Sequence, residues 1–219
     1  DWPTYVTMFV LGGLQGLLGW YMVKSGLVDV PSVSQYRLAA HLGLAVLIYG
    51  YLLHTAIGLC RAATRGDTGA HRGSRRLTVL VFVTMIWGAF LAGIDGGAVF
   101  NTFPLMDGHL VPPGLAAISP LWANLFENVV TVQFLHRLLA VVTAVSALVV
   151  WVRYRDAGGA FPAIALAAVL QFGLGIATIL TGASIFVAWA HQAGAMLLFS
   201  ATVWAWSATA PGSPGHRPA

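Results

Sequence analysis

The chain has 219 residues, of which 58% are hydrophobic and 8% charged, against about 25% charged in a soluble domain; its mean hydropathy is +0.80. That balance excludes a water-soluble globular fold and specifies an all-α integral membrane protein. The net charge of +4 does not point to nucleic acid, because the arginines cluster in short loops and mark orientation, and the single cysteine, Cys60, excludes an intrachain disulfide and any cysteine-held zinc or iron–sulfur centre.

Six apolar runs approach the roughly 20 residues that a membrane crossing requires. They are residues 5–23, 36–59, 77–94, 129–152, 161–180 and 185–206. Trp2 and Tyr5 are interfacial anchors for the first. The loop after the second run carries Arg61, Arg65, Arg72, Arg75 and Arg76, and the loop after the fourth carries Arg153 and Arg155. The positive-inside rule places both in the cytoplasm. The loop after the third run holds Asp95, Asp107 and Glu127 without Lys or Arg, and the loop after the fifth, around TGAS, is uncharged; both are expected outside. The six runs then alternate with both termini cytoplasmic. The tail, residues 207–219, reads as disordered by composition. The chain opens at Asp1 without an initiator Met, and an N-terminal part of the natural protein is expected to precede it.

The outer segment 93–127 is long for a membrane bundle. It contains GIDGGAVFNTFPLMDGHLVPPG and then the amphipathic LWANLFENVV. Trp122, Leu125 and Phe126 are expected in the lipid interface, with Asn124 and Glu127 facing polar groups. Loops of this length tend to be lids or site walls.

Three histidines lie inside apolar runs, where an ionisable residue is costly and marks function by default. They are His41 in YRLAAHLGLAVLIYG, His136 in NVVTVQFLHRLLAVV and His191 in VAWAHQAGAMLLF. All three runs enter from the outer face, and each histidine lies one to two turns in, a depth on the order of 10 Å. Three helices thus bring histidine to one level near one face. There is also an internal repeat. Residues 14–19, LQGLLG, read like residues 170–175, LQFGLG, and Ala40-His41 with Ala45 and Leu47 reads like Ala190-His191 with Ala195 and Leu197. The first two runs therefore match the last two. A counterpart of the middle two would precede residue 1, giving eight helices in two four-helix halves. In that division residues 1–60 belong to the first half, 61–76 form a cytoplasmic Arg-rich loop, and 77–206 form the second half.

Two imidazoles on opposite sides of an iron make a low-spin centre suited to electron transfer, and ligands from different helices hold a porphyrin in a bundle core. His136 and His191 are read as such a pair on one haem. His41 is the remnant of an equivalent pair. Small residues beside them leave room for a flat macrocycle: Ala140, Thr143 and Ala144 after His136, Gly194 and Ala195 after His191, and Gly173 and Gly175 in the fifth run. Ordinary close helix packing accounts for any of these singly. Arg37, four residues before His41, and Arg137, directly after His136, lie towards the outer face against the charge bias. They suit haem propionates, with snorkelling to headgroups as the competing reading. Gln133 and Asn128 offer further hydrogen bonds. His54 reads as structural, His71 and His216 as solvated, and His109 as without an assigned role. Asp95 reads as loop-fixing, Glu127 is open between that and proton handling, and Cys60 is a small hydrophobe.

The motifs YRLAAHL at 36–42, AGIDGGAVFNTFPLMDG at 92–108, ENVVTVQFLHRLLA at 127–140 and AHQAGAMLL at 190–198 resemble the haem A synthase family of mitochondria and alphaproteobacteria, along nearly the whole chain. The resemblance implies eight helices in two similar halves and a b-type haem in the C-terminal half, mapping to His136 and His191 with Arg137 beside it. It implies haem O as substrate in the N-terminal half, with His41 among its histidines and Arg37 nearby. The implied reaction oxidises the ring methyl at position 8 of haem O to a formyl by successive oxygenations, giving haem A for cytochrome c oxidase. Implied partners are the haem O synthase and an electron donor such as a ferredoxin, with a homo-oligomer as one arrangement. The implied place is the bacterial inner membrane, with the haem sites towards the periplasm. The family's proposed catalytic glutamate would lie before residue 1. The cysteine pair of another branch is absent here. A cytochrome b561-like electron carrier is the alternative, but it would place histidines near both faces. A histidine-lined transporter is a third reading and predicts no haem absorbance.

Overall fold

The computed structural model describes residues 2–24, 34–60 and 66–211. Arg61, Arg65 and His216 lie outside the described residues, as does most of the tail. Among the described residues the fold is all-helical. It comprises α1 (Trp2–Lys24), α2 (Gln35–Cys60), α3 (Thr68–Gly93), the single-turn α4 (Asn124–Glu127), α5 (Val129–Tyr154), α6 (Ala160–Leu180) and α7 (Ile185–Ala208). All except α4 are long and apolar enough to cross a membrane. Three 3-10 turns, at Gly96–Ala98, Leu121–Ala123 and Arg155–Ala157, trim the connections.

Helix α3 begins nine residues before the apolar run that predicts it. Asp67 caps it, its carboxylate accepting from the N–H groups of Gly69 at 2.8 Å and Ala70 at 3.0 Å, the usual way to satisfy the open donors of a first turn. Ala70, Ser74 and Leu77 then bury one face at helical spacing, while Arg72, Arg75 and Arg76 point outwards. The arginines mask this amphipathic start from a hydropathy reading. His71 consequently sits on a helix rather than in a solvated loop. It is half-buried, and Trp206 Nε1 donates to its Nε2 at 3.3 Å.

Helices α3, α5, α6 and α7 close a four-membered ring. Helix α3 packs on α5 and α7, and α6 packs on the same two, so α5 and α7 stand diagonally across the bundle. Helix α2 lies against α3 and α7, and α1 packs along α2 without burying any residue of its own. The core runs through Val46, Leu77, Val81, Phe161, Ile164, Leu198, Phe199 and Val203.

In lipid the driving force is close van der Waals approach rather than burial from water, so small residues set the contacts. A Cβ on Gly43 would come within 2.9 Å of Ile86 on α3, and one on Gly50 within 3.1 Å of the Phe199 ring on α7. These two positions, two turns apart on α2, let that helix lie against the ring of four.

Candidate functional site

Three antiparallel hairpins, α1–α2, α3–α5 and α6–α7, carry the same device. His41 is the seventh residue of α2, His136 the eighth of α5 and His191 the seventh of α7. On the preceding helix, five residues before its end, stands a glycine: Gly19, Gly88 or Gly175. A Cβ there would meet the histidine Cε1 at 3.1 Å for Gly19–His41, 3.0 Å for Gly88–His136 and 3.2 Å for Gly175–His191. Each imidazole edge rests on bare backbone. The glycine is needed because a side chain at that point would push the ring away.

The residue four before each glycine sits one turn down on the same face. In two hairpins it is glutamine. The Gln15 amide lies 3.2 Å from His41 Nδ1, and the Gln171 amide 3.1 Å from His191 Nδ1. In the α3–α5 hairpin it is Thr84, whose hydroxyl pairs with Thr143 at 2.8 Å instead, and His136 Nδ1 has no partner. Gly194, expected to leave room for a macrocycle, instead makes space for Gln171, whose side-chain oxygen occupies the place a Cβ would need. Beside Gly173 a Cβ would meet nothing.

Burying a polar atom without a partner costs about 1–3 kcal/mol, and each case in a folded protein calls for an explanation such as a missing ligand. Among the described residues the buried side-chain atoms without a partner are Gln15 Oε1, Trp87 Nε1, Gln133 Oε1, His136 Nδ1, Arg137 Nε and Gln171 Oε1. All six belong to the histidine level. His136 and His191 stand on the diagonal helices α5 and α7, with Ala140 and Ala144 one and two turns on from the first and Ala195 one turn on from the second. Imidazoles on two diagonal helices, orphaned polar atoms and small neighbours fit a haem.

The outer segment is tied down by the helix that bears His136. Arg137 Nη1 donates to the Thr102 carbonyl at 2.8 Å and Nη2 to that of Phe100 at 2.6 Å. Gln133 Nε2 also donates to Phe100, at 3.2 Å. Asn128 caps α5 through Oδ1, and its amide nitrogen donates to Gly114 at 2.7 Å. Asn124, expected to face polar groups, does so inside the protein: it is buried and its amide nitrogen donates to the Ile118 and Leu121 carbonyls at 2.7 and 3.0 Å. Phe126, expected in the lipid interface, packs on Phe90 with ring centres 5.2 Å apart, whereas Trp122 and Leu125 are exposed as expected. Within the loop, Met106 and His109 form an antiparallel bridge, and His109 Nδ1 meets the Asp107 carbonyl at 2.9 Å. Asp95 turns the chain after α3 with φ 53° and no side-chain capping bond. Arg137→Lys keeps the charge but loses the two-point grip. It is expected to lower the thermal midpoint and to open the 100–110 stretch to protease while leaving the helices intact, which limited proteolysis in detergent would read directly.

The remaining candidates separate by position. Arg37 lies 5.9 Å from the Tyr21 ring centre, spanning α1 and α2. Glu127 accepts from the Tyr36 hydroxyl at 2.8 Å, joining α2 to the outer segment. His54 is at the opposite end, stacked on Trp206 at 4.8 Å and bonded to Ser207 at 2.8 Å. Cys60 ends α2 and is exposed. Sequence reasoning missed Gly88 and Thr84; the signal was the shared spacing from glycine to helix end and from helix start to histidine. It paired the glutamines by repeat without assigning them a contact.

The sequence profile of the COX15-CtaA family, described as cytochrome oxidase assembly protein, matches residues 2–203. The chain is 47% identical over 211 residues to the "Heme A synthase" of Rhodospirillum centenum, an alignment covering 92% of this chain and 56% of that protein. It is 47% identical over 208 residues to that of Nitrosospira multiformis, covering 90% and 58%, and 46% identical over 205 residues to that of Parvibaculum lavamentivorans, covering 92% and 60%. It thus spans a little over half the length of these curated relatives. With a profile match along almost its entire length, the chain belongs to the COX15-CtaA family of cytochrome oxidase assembly proteins.

Proposed function

We propose that the intact protein is a haem A synthase, converting the position-8 methyl of haem O to a formyl, and that this chain supplies its resident-haem half. His136 and His191 hold haem b between α5 and α7. His41, with Arg37 on the same helix face, serves the substrate haem. The observation that supports this reading is the single level at which three glycine-backed histidines and all six orphaned polar atoms of the described residues meet.

When bound, haem b supplies a one-electron couple. The chain's own residues do the rest. Arg137 holds the outer segment with two nitrogens and keeps Nε for a propionate. Were His191 to hold the haem through Nε2, its proton would sit on Nδ1 and would donate to Gln171 Oε1 after a half-turn of the amide. Such outer partners fix the tautomer and raise ligand basicity. His136 lacks a side-chain partner of that kind, so the two histidines would hold the haem unequally. The outer segment shields this level from water, and the apolar helix faces suit a substrate with a long isoprenoid tail. The haem level faces the periplasm of a bacterial inner membrane by the charge argument. Two helices preceding α1 complete the N-terminal half. Haem O synthase and a reductant such as a ferredoxin are the matching partners.

Gln171→Leu is expected to keep the haem but raise its midpoint potential, because the Nδ1 proton loses its acceptor and the oxidised iron loses support. Gln15→Leu, which touches His41 only, is expected to leave that potential unchanged; a redox titration of both variants reads the difference. The function itself is tested by supplying haem O to membranes carrying the intact protein. Hydroxylated and formylated haem in the chromatogram is the expected result. Unchanged haem O beside an active control overturns it.

A further inference from the structure

At the end of the bundle opposite to the histidines, α3 and α5 leave a groove of about 620 Å³ between them. Its upper part is lined by Arg72, Arg76 and Arg153, and its lower part by Leu80, Val145 and Val149. No acidic residue lines it. Asp67, at the start of α3, has its carboxylate engaged by two backbone N–H groups of the cap.

Arg72 and Arg76 are one turn apart on the same helix face, a like-charge spacing that weakens a helix on its own. Arg153 faces them from α5. Three guanidiniums converging on one groove without a carboxylate is an arrangement that an anion stabilises. The groove is also built by small residues. Gly69 and Gly73 let the Tyr154 ring lie against α3; a Cβ on Gly73 would come within 2.9 Å of that ring. Tyrosine and arginine together mark the headgroup level of a bilayer.

The shape selects the ligand further. Eight residues separate Arg72 from Leu80 on α3, and eight separate Arg153 from Val145 on α5. Both walls therefore run from cation to hydrocarbon over about 12 Å by helix rise, within the roughly 15 Å thickness of one leaflet's hydrocarbon. Leu80 is half-buried and Val145 and Val149 are exposed, so the floor opens sideways to the acyl layer. A free inorganic anion would use only the upper end.

We propose that this groove is a specific site for an acidic phospholipid, with its phosphate between Arg72, Arg76 and Arg153 and an acyl chain along Leu80, Val145 and Val149. Basic pockets between membrane helices bind such headgroups by the same chemistry. The lipid ties α3 to α5, the two helices of the His136 hairpin.

The test uses the intact protein in nanodiscs of phosphatidylcholine, with and without phosphatidylglycerol. Phosphatidylglycerol is expected to raise the thermal midpoint and to remain attached in native mass spectrometry. The triple variant Arg72→Gln, Arg76→Gln, Arg153→Gln is expected to lose both effects, with retention weaker by about a hundredfold, since each basic side chain near an anionic headgroup counts for roughly a fivefold factor. Arg75→Gln with Arg155→Gln, outside the groove, is expected to keep them. A separate variant, Val149→Trp, leaves the arginines in place and fills the floor; it is expected to lose lipid retention with unchanged helical content by circular dichroism. The proposal is overturned if the triple variant responds to phosphatidylglycerol as the parent does, or if the Arg75/Arg155 variant loses the response equally. It is also overturned if inorganic phosphate alone reproduces the stabilisation in phosphatidylcholine discs, or if Val149→Trp retains the lipid. None of these readouts depends on haem.

Discussion

Replacing either His136 or His191 with alanine is expected to remove the b-type absorbance of the purified intact protein, whereas His54→Ala and His71→Ala keep it. The two groups differ in what the rings meet. His136 and His191 lie at a level where buried polar atoms have no protein partner. His54 and His71 are both engaged with α7 through Ser207 and Trp206. On the proposed assignment, alanine at either of the first two sites would remove one of the two histidines that would hold the haem, leaving the other to hold it alone. Reduced-minus-oxidised spectra of the four variants, normalised to protein, give the measurement. Loss of signal in the His54 or His71 variant with retention in the other two would reverse the assignment of ends.

The second large effect comes from positions with no chemistry of their own. Gly88→Leu and Gly175→Leu are expected to abolish haem incorporation although neither residue contacts iron. The imidazole Cε1 atoms are already 3.0 and 3.2 Å from where a Cβ would stand, tighter than ordinary van der Waals separation. The branched side chain therefore has no room unless the ring swings out of the bundle. Overpacking of this kind typically costs 1–3 kcal/mol, which six packed membrane helices can absorb, so the protein is expected to insert and remain helical. Gly173→Leu is the control, because its Cβ direction is open. It lies two residues from Gly175 and should leave haem content unchanged. Equal loss at Gly173 and Gly175 would mean that α6 simply tolerates no leucine there, and the glycine–histidine device would have to be abandoned.

Much of the architecture was legible in the sequence because lipid imposes one dominant signal. Uninterrupted apolar runs of the right length located α1, α2, α5, α6 and α7 to within a few residues. Helix α3 was the exception. Its first three turns carry three arginines on the outward face, and average hydropathy cannot separate an outward arginine from a loop. The capping aspartate and the spacing of Ala70, Ser74 and Leu77 held that information instead. At the site, the histidines stood out since ionisable groups are rare in apolar helices. Their supports did not. A glycine opposite a histidine is visible only once two helices are laid side by side, and in the α3–α5 hairpin they are separated by the whole outer segment. The carbonyl partners of Arg137 are likewise 35 and 37 residues away in sequence. Backbone acceptors carry no residue-type signature, so nothing in the sequence signals that Arg137 also grips the loop through two of its nitrogens. The repeat matched Gln15 with Gln171 but had no glutamine to match in α3. Thr84 fills that position with a different bond.

This asymmetry bears on how the two ends of a bis-histidine centre differ. Gln171 meets one imidazole at Nδ1, and no side chain does so for the other. As a haem ligand, an imidazole without such a partner would be the weaker donor. The His136 side is thus the one where a perturbation on α3, at Thr84 or Gly88, is expected to reach the iron.

Low-temperature electron paramagnetic resonance of the oxidised intact protein tests the central claim most directly. Two imidazoles on one iron predict a low-spin ferric signal that His191→Ala converts to high spin or removes. A resident haem that is high-spin in the parent, or a low-spin signal that survives both His136→Ala and His191→Ala, would contradict a haem clamped between α5 and α7.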